Sequence, residues 1–402
     1  MKQSHRLNNV GLINRDKVIT FNFNGKSYQG YEGDTLASAL LANGVHLVGR
    51  SFKYHRPRGF IGAGVDEPNA KLQVTINGHS EPNINATEIE LVDGLSATSQ
   101  NCWPSVEFDI GAINNFLKRF FPAGFYYKTF MWPKSFWYKV YEPFIRKAAG
   151  LGVASLEKDK ERYEHKFEYC DLLVTGSGPS GLASAYAAAK NGAKVILAED
   201  KPRYGGTLLT DDVSIDNMSG KDWSEKIISE LKTMPNVTLK NRSQVFGYYD
   251  HNMMVMFERV GDHLSNKSKF TPRQRLWYIR AKETILSTGS IERPIVFGNN
   301  DTPGVVLSSA AKEYMKVYGV LVGRKPIIFT NNDSAYETAF EFKKNNVEPI
   351  ILDTREEHDS EVVQEAKNKG IQIKFSYGVI VANGYKKVKS AKIGKLTKDK
   401  KS

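Results

Sequence analysis

Three glycines near the middle of the chain have the spacing of a dinucleotide-binding turn. Gly176, Gly178 and Gly181 form a G-x-G-x-x-G pattern, with Pro179 and Ser180 between the last two. In such a pattern the first glycine permits a tight turn, the second lets the backbone approach a pyrophosphate, and the third lets a helix pack closely on a strand. The pattern therefore predicts a phosphate-binding turn.

The flanking residues predict the elements that such a turn needs. The apolar run 171–175 indicates a buried strand, the alanine-rich segment 179–190 a helix, and 194–198 a second strand. The second strand leads to Glu199 and Asp200. An acid about 20 residues after the glycines accepts hydrogen bonds from ribose hydroxyls, and its charge disfavours the 2′-phosphate of NADP. We therefore expect NAD or FAD at this site.

The segment after the second strand can approach the same cofactor. Gly205 and Gly206, followed by Thr207, suit a backbone that passes close to a ligand, because glycine leaves room for close approach. Arg203 can reach a phosphate or the adenine, or it can be a solvated turn residue. The sequence leaves both roles of this arginine open.

A later turn, at Thr288 and Gly289, follows another predicted strand. In flavoproteins with two dinucleotide domains such a turn returns the chain beside the cofactor, and glycine permits the close approach. No Ser/His/Asp or Cys/His group of catalytic type is evident, so catalytic residues stay unknown and we expect the redox chemistry to belong to a cofactor.

Composition excludes several classes of protein. The chain has 402 residues, 41% apolar and 25% charged, which suits two or three globular domains. Its two cysteines, Cys102 and Cys170, are too few for an iron–sulfur cluster, a cysteine zinc site or a disulfide framework, so we expect no metal and a reducing, cytoplasmic compartment. No apolar run reaches the roughly 18 residues of a membrane span, so we expect a soluble protein.

The net charge of +12 is concentrated at one end of the chain. Residues 386–401 contain eight lysines and one acid, which indicates a solvated tail. No zinc-finger, helix-turn-helix or RNA-binding pattern accompanies these lysines, so we expect no nucleic-acid partner.

The first hundred residues predict a β-grasp domain. Asp34 is placed to cap a helix, and the order of elements resembles the plant-type ferredoxin fold. The segment 44–64, which holds the cluster cysteines in such ferredoxins, has none here, so we expect no cluster. The predicted strands and helix cover residues 18–25, 26–33, 35–43, 71–78 and 86–94.

The segment 44–64 is also strongly basic. It can bind an anion, or it can form salt bridges with other residues of its own chain. The sequence alone does not decide between these two roles. The potentially positive residues are Arg50, Lys53, His55, Arg56 and Arg58.

Four regions are predicted along the chain, in an α/β fold with an α+β N-terminal part. Residues 1–110 form the β-grasp domain without cluster cysteines, and 111–166 an aromatic helical connector with a charged link at 157–166. Residues 167–323 form a Rossmann-like FAD/NAD(P)-binding domain of the two-dinucleotide-domain flavoprotein type. Residues 324–402 form a second βαβ unit whose turn, TNNDSAYE, has no glycine, so this unit is structural or a degenerate nucleotide site.

Several long strings of residues resemble one enzyme family over nearly the whole chain. The strings are GDTLASALLANGVHLVGRSFKYHRPRG, PAGFYYKTFMWP, GSGPSG with EDKPRYGG, and NDTPGVVLSSAA. They resemble the alpha subunits of heterotetrameric sarcosine oxidase.

This resemblance implies the oxidative demethylation of sarcosine to glycine, with oxygen as acceptor, giving peroxide and formaldehyde or methylene-tetrahydrofolate. It implies NAD in this chain, FAD and FMN with a beta subunit, and smaller gamma and delta subunits. Gly176, Gly178, Gly181 and Glu199 would hold the dinucleotide. Family alpha subunits continue into a folate-binding domain, so we expect this chain to be truncated or one piece of a split subunit.

Two alternatives remain at this stage. The chain can be a self-sufficient FAD-dependent amine or opine dehydrogenase, or another NAD- or FAD-dependent oxidoreductase, in which the glycine turn holds FAD. It can also be a binding fragment without a redox role.

Overall fold

The computed structural model describes residues 3–121, 124, 129–148 and 152–396. The chain forms two compact units, one from Met1–Glu157 with Arg293–Ser402 and the other from Lys158–Glu292. The four regions drawn from the sequence stay predictions.

The N-terminal part of the first unit contains a five-stranded sheet with the strand order β2-β1-β7-β5-β6. β1 pairs in parallel with β7, and the other neighbours are antiparallel. The helix Leu36–Ala42 is buried along its whole length, because every one of its side chains is apolar or small. The strands are β1 (Asn14–Phe23), β2 (Lys26–Glu32), β3 (Gly49–Arg50), β4 (Pro57–Arg58), β5 (Lys71–Ile76), β6 (His79–Asn85) and β7 (Ser96–Ser99).

The cap of this helix differs from the prediction. Thr35, not Asp34, is the N-cap, and its hydroxyl accepts the N–H of Ser38 at 3.2 Å. The Asp34 carboxylate instead accepts the Ser38 hydroxyl at 2.7 Å and pairs with Arg6 at 2.6 Å. The acid therefore lies one residue outside the cap and joins the N-terminal segment to the helix.

The predicted strand at 86–94 was wrong. The Ile89 carbonyl accepts the N–H of Leu36, and the Leu91 N–H donates to the Asp34 carbonyl, both at 2.9 Å. The backbone of this apolar segment thus pairs with the start of the helix instead of a neighbouring strand. The strand that completes the sheet is β7, which follows it.

Among its described residues, the aromatic region contains the short α-helices Ile113–Phe116 and Glu142–Ala148 and a π-helical segment, Trp137–Tyr141. Several of its aromatic side chains are exposed, and Phe116 is 87% exposed. Parts of the predicted connector, at 122–123, 125–128 and 149–151, lie outside the described residues.

The second unit is built on a six-stranded sheet with the order β12-β9-β8-β15-β14-β13. β12, β9, β8 and β15 are parallel, and β14 and β13 continue the sheet in antiparallel pairing. Two helices, Pro179–Lys190 and Gly220–Thr233, pack on the parallel part. The strands are β8 (Tyr163–Thr175), β9 (Val195–Ala198), β10 (Ser214–Ile215), β11 (Met218–Ser219), β12 (Val237–Lys240), β13 (Ser243–Tyr249), β14 (Met253–Arg259) and β15 (Gln274–Leu286).

One predicted boundary in this unit was wrong. The polar segment 157–166 does not serve as a link throughout, because β8 already begins at Tyr163 and pairs along its length with β15. Paired charges such as Glu164 and Arg275, 3.0 Å apart, lie on this ladder, so polar composition here marks a solvated strand.

The C-terminal part of the first unit contains a three-stranded parallel sheet with the order β16-β17-β18. Helices Tyr336–Lys344 and Glu361–Asn368 contribute to a shared core with this sheet, and helix Ser308–Lys316 adds Ala311 and Met315. The predicted second strand-turn-helix-strand order is therefore present. The strands are β16 (Ile327–Thr330), β17 (Ile350–Asp353), β18 (Gln372–Phe375), β19 (Tyr377–Gly384) and β20 (Val388–Lys395).

The lysine-rich end is structured up to residue 395, contrary to the prediction of a solvated tail. β20 pairs in antiparallel fashion with β19, and Val388, Ala391 and Ile393 are partly buried between exposed lysines. The prediction counted charges and overlooked this alternation of apolar and charged residues. In the part of the chain that the structure describes, no helix combines the length and the apolar content needed to cross a membrane.

Candidate dinucleotide-binding site

The three pattern glycines occupy the turn between β8 and helix Pro179–Lys190. Gly176 has a φ of +97°, and a Cβ there would lie 2.3 Å from the Ser287 carbonyl oxygen. A Cβ on Gly181 would lie 1.9 Å from the Gly176 carbonyl oxygen, whereas one on Gly178 would meet no atom within 4 Å. The first and third glycines thus permit close packing, and the second leaves open space at the N-terminus of the helix.

We expect Gly181→Ala to destabilise the second unit by about 3 kcal/mol, because the new methyl group would overlap backbone that cannot move aside. The measurement is urea unfolding followed by circular dichroism. Gly178→Ala is the matched control and is expected to cost less than about 1 kcal/mol. Equal unfolding midpoints for the two variants would contradict the tight helix–strand packing.

Glu199 follows β9 and lies at the base of the turn. Its side chain is buried, with the residue 5% exposed. One carboxylate oxygen, Oε2, accepts the N–H of Ser177 at 2.9 Å and also the Ser177 hydroxyl. The other, Oε1, accepts the N–H of Lys201 at 3.1 Å. The acid that the sequence assigned to ribose binding is therefore fixed by hydrogen bonds from two segments.

Burial raises the pKa of Glu199 to about 7, and the neighbouring Asp200 carboxyl adds to the increase. The donors from Ser177 and Lys201 act in the opposite direction, because they favour the charged form. The backbone carbonyl of Asp200 accepts a hydrogen bond from Arg259 at 2.7 Å. The site thus places two adjacent carboxyl groups at the end of the second strand.

The predicted glycine pair contacts the turn directly. The Gly205 N–H donates to the Ser177 carbonyl at 3.2 Å and to the Ser177 hydroxyl at 3.1 Å. A Cβ on Gly206 would lie 2.9 Å from the Cα of Gly178. Thr207 is exposed and belongs to a 3-10 helix, Gly206–Leu209. The structure therefore brings this segment against the glycine turn.

The C-terminal end of β15 lies beside the C-terminal end of β8, at the edge of the sheet where the glycine turn begins. The Ser287 N–H donates to the Thr175 carbonyl at 2.8 Å, which ties the two strand ends together. Thr288 and Gly289 follow as exposed residues, and Gly289 has a φ of +70° with open space around a Cβ position.

The remaining predicted residues stay around this edge. Pro179 and Ser180 are exposed in the first turn of the helix, and Arg203 is partly buried in the segment before Gly205. Ser177 was missed because it stands at a variable position of the pattern. A small hydroxyl residue between two glycines of a tight turn was the available signal.

In the second βαβ unit, the acid at the position that corresponds to Glu199 accepts hydrogen bonds from side chains of its own unit. Asp353, at the end of β17, is fully buried and receives hydrogen bonds from Arg355 at 2.7 Å and from the Tyr336 hydroxyl at 2.8 Å. Although burial opposes it, hydrogen bonding with Arg355 keeps the pKa of Asp353 below its usual value. These contacts support a structural role for this unit.

The basic segment is held by its own chain. The Arg50 guanidinium is buried and donates to the Val106 carbonyl at 2.6 Å. Arg56 and Arg58 both pair with Asp301. These pairings outweigh burial and lower the pKa of Asp301 to about 2. The structure therefore favours contacts within the chain over the anion-binding role: salt bridges for Arg56 and Arg58, and backbone hydrogen bonds for Arg50.

Two family models match the chain. One, described as a 2Fe-2S iron-sulfur cluster binding domain, matches residues 16–102. The other, described as FAD dependent oxidoreductase, matches residues 171–254, which contain the glycine turn and Glu199.

The cysteines present do not fit an iron–sulfur cluster. Plant-type clusters need four thiolates, and residues 16–102 contain only Cys102. Burial raises the pKa of Cys102 to about 11 and that of Cys170 to about 12, so both thiols stay protonated near neutral pH. Among the residues with described positions, no group of His, Cys, Asp or Glu side chains could hold a metal ion.

A solved structure supports the fold. L-proline dehydrogenase from P. horikoshii aligns with a TM-score of 0.59 and 21% identity, over 97% of this chain and 58% of that chain. Together with the two family models, it confirms the predicted fold class, a ferredoxin-like domain followed by a Rossmann-like FAD/NAD(P)-binding domain of the two-dinucleotide-domain type.

Curated relatives match most of the chain. Sarcosine oxidase subunit alpha from Rhizobium meliloti (strain 1021) is 51% identical over 88% of this chain and 36% of its own length. The subunit of the same name from Corynebacterium sp. (strain U-96) is 33% identical over 92% of this chain and 34% of its own length. The chain thus spans about a third of the length of these relatives. It belongs to the family of sarcosine oxidase alpha subunits.

Proposed function

We propose that the chain is the dinucleotide-binding part of a sarcosine oxidase alpha subunit, and that the turn at Gly176–Gly181 holds the ADP half of NAD or FAD. The main support is the open space at Gly178 directly in front of a helix N-terminus, with Glu199 beside it. The family resemblance favours NAD, and the match to the FAD-dependent family model favours FAD.

Each element of the turn has a defined task in this proposal. The free N–H groups and positive dipole end of helix Pro179–Lys190 would stabilise the pyrophosphate. The carboxylate of Glu199 would accept hydrogen bonds from the adenosine ribose. The bound dinucleotide would supply hydride chemistry, and this chain would bind it and orient it.

The oxidation of sarcosine to glycine is proposed to require other subunits. The sequence contains no recognisable amine-oxidising group of side chains, and within the described part of the chain none is brought to the dinucleotide site. We propose a beta-type flavoprotein partner that contributes FAD and FMN, with smaller gamma and delta subunits. Oxygen would be the acceptor, giving peroxide, with formaldehyde or methylene-tetrahydrofolate as the one-carbon product. Location in the cytoplasm is part of the same proposal.

The identity of the dinucleotide can be determined on the purified chain. We expect one dinucleotide per chain, either flavin seen in the visible absorption spectrum or NAD found by mass spectrometry after heat release. A chain that contains neither, and that binds neither when titrated with them, would overturn the proposed site.

The proposed requirement for a beta-type partner is tested separately, by measuring peroxide production from sarcosine. The isolated chain is expected to produce none, and co-expression with a beta-type partner is expected to give the activity. Peroxide production by the isolated chain would instead favour the self-sufficient amine or opine dehydrogenase. A complex that forms and stays inactive would contradict the expected activity, and it would indicate that the part of the relatives' alpha subunit outside this chain is also required.

A further inference from the structure

We propose that Ser177 is a positioning residue that fixes Glu199 and thereby sets the rejection of a 2′-phosphate on the adenosine ribose. This inference rests on the proposed dinucleotide site. Ser177 stands at a variable position of the glycine pattern, and the role proposed for it is in ligand specificity.

The carboxylate of Glu199 is held at both oxygens. The N–H and the hydroxyl of Ser177 both donate to Oε2, and the N–H of Lys201 donates to Oε1. Ser177 is fully buried and Glu199 nearly so, which strengthens these charge-assisted hydrogen bonds. Rotation of the Glu199 side chain away from the site would break three hydrogen bonds.

The same serine joins a third segment to the turn. Its hydroxyl donates to Glu199 and accepts the N–H of Gly205 at 3.1 Å. The glycine turn, the end of β9 and the Gly205 segment therefore meet at one hydroxyl group.

A fixed carboxylate discriminates more strongly than a mobile one. A 2′-phosphate placed beside Glu199 would meet a negative charge that cannot move into solvent, and it would replace a ribose hydroxyl that donates to that charge. Without the Ser177 hydroxyl, Glu199 keeps fewer restraints and can move aside. The penalty against the phosphate should then decrease, while binding of the unphosphorylated ribose should change little.

The test uses ADP-ribose and 2′-phospho-ADP-ribose as probes, titrated by calorimetry at pH 8.5 into the full chain freed of bound dinucleotide, because Glu199, with a pKa of about 7, is ionised at that pH. Wild type is expected to prefer ADP-ribose by about 100-fold, and Ser177→Ala by about 10-fold. Ser177→Cys, which keeps a side-chain group at this position but a larger and more weakly hydrogen-bonding one, is expected to behave like alanine and serves if the alanine variant does not fold.

A double-mutant cycle separates positioning from a general loss of structure. Glu199→Gln alone should also lower the preference, and adding Ser177→Ala to it should change the preference by less than about twofold. If Ser177→Ala and Ser177→Cys retain the wild-type preference, the inference is overturned while the proposed site stands. If wild type binds neither probe, the proposed site fails and the inference fails with it.

Discussion

Gly178→Val is expected to weaken dinucleotide binding by at least about 100-fold while the chain stays folded. The side chain would enter the open space in front of the helix, where the pyrophosphate is proposed to lie. Valine is compatible with the backbone of Gly178, whose φ of −66° and ψ of −174° are extended. The substitution therefore fills space proposed for the ligand without placing a Cβ against any protein atom.

Gly323→Val is the matched control for this prediction. A Cβ at Gly323 also meets no atom within 4 Å, and the residue lies outside the dinucleotide site. Both variants should unfold at nearly the wild-type urea concentration, and only Gly178→Val should lose affinity in a titration with ADP-ribose. Equal affinities for the two variants would mean that the pyrophosphate does not lie at this turn.

The dinucleotide unit was predictable because its signals are local. Helix Pro179–Lys190 has the predicted bounds, since its alanine-rich stretch follows Gly178 and ends at Asn191. The packing role of Gly181 also follows from spacing alone, because a helix that starts beside a strand leaves no room for a Cβ at that position.

The features that sequence reasoning missed depend on contacts between distant segments. Ser177 acquires its role only because Glu199 and Gly205 are brought beside it by folding. The same applies to the segment 86–94, whose apolar residues suited a strand but whose backbone pairs with the start of a helix. The composition of a segment and the alternation of its apolar and polar residues indicate which residues are buried. They do not indicate which other segment those residues pair with.

The basic segment shows the same limit for charged residues. Five potentially positive residues within 50–58 suggested an anion site, and the carboxylate that binds two of them, Asp301, is more than 240 residues away in sequence. Charge counting cannot locate such a partner. The distinction between a functional cation and a structural one therefore requires the tertiary structure.

The stability of the second unit is expected to depend on pH through Glu199. Its ordinary pKa is 4.5, and burial raises the pKa in the folded chain to about 7. Between these values the folded chain binds more protons than the unfolded chain, so the free energy of unfolding should fall as the pH rises. The loss contributed by this group should reach at most about 3 kcal/mol between pH 4.5 and pH 7, since one pKa unit corresponds to about 1.4 kcal/mol.

Glu199→Gln removes this titration, because the amide stays neutral throughout the range and occupies nearly the same volume. The measurement is urea unfolding of the second unit at several pH values, and the variant should show a flatter dependence of unfolding free energy on pH than wild type. Glu225→Gln, at an exposed glutamate 3.6 Å from Lys221, is the control and should keep the wild-type dependence. If Glu199→Gln also kept the wild-type dependence on pH, the pKa of Glu199 in the folded wild type would be lower than burial implies. The three hydrogen bonds from Ser177 and Lys201 would then outweigh desolvation. That result would make the same hydrogen bonds the dominant determinant of the charge that faces the ribose.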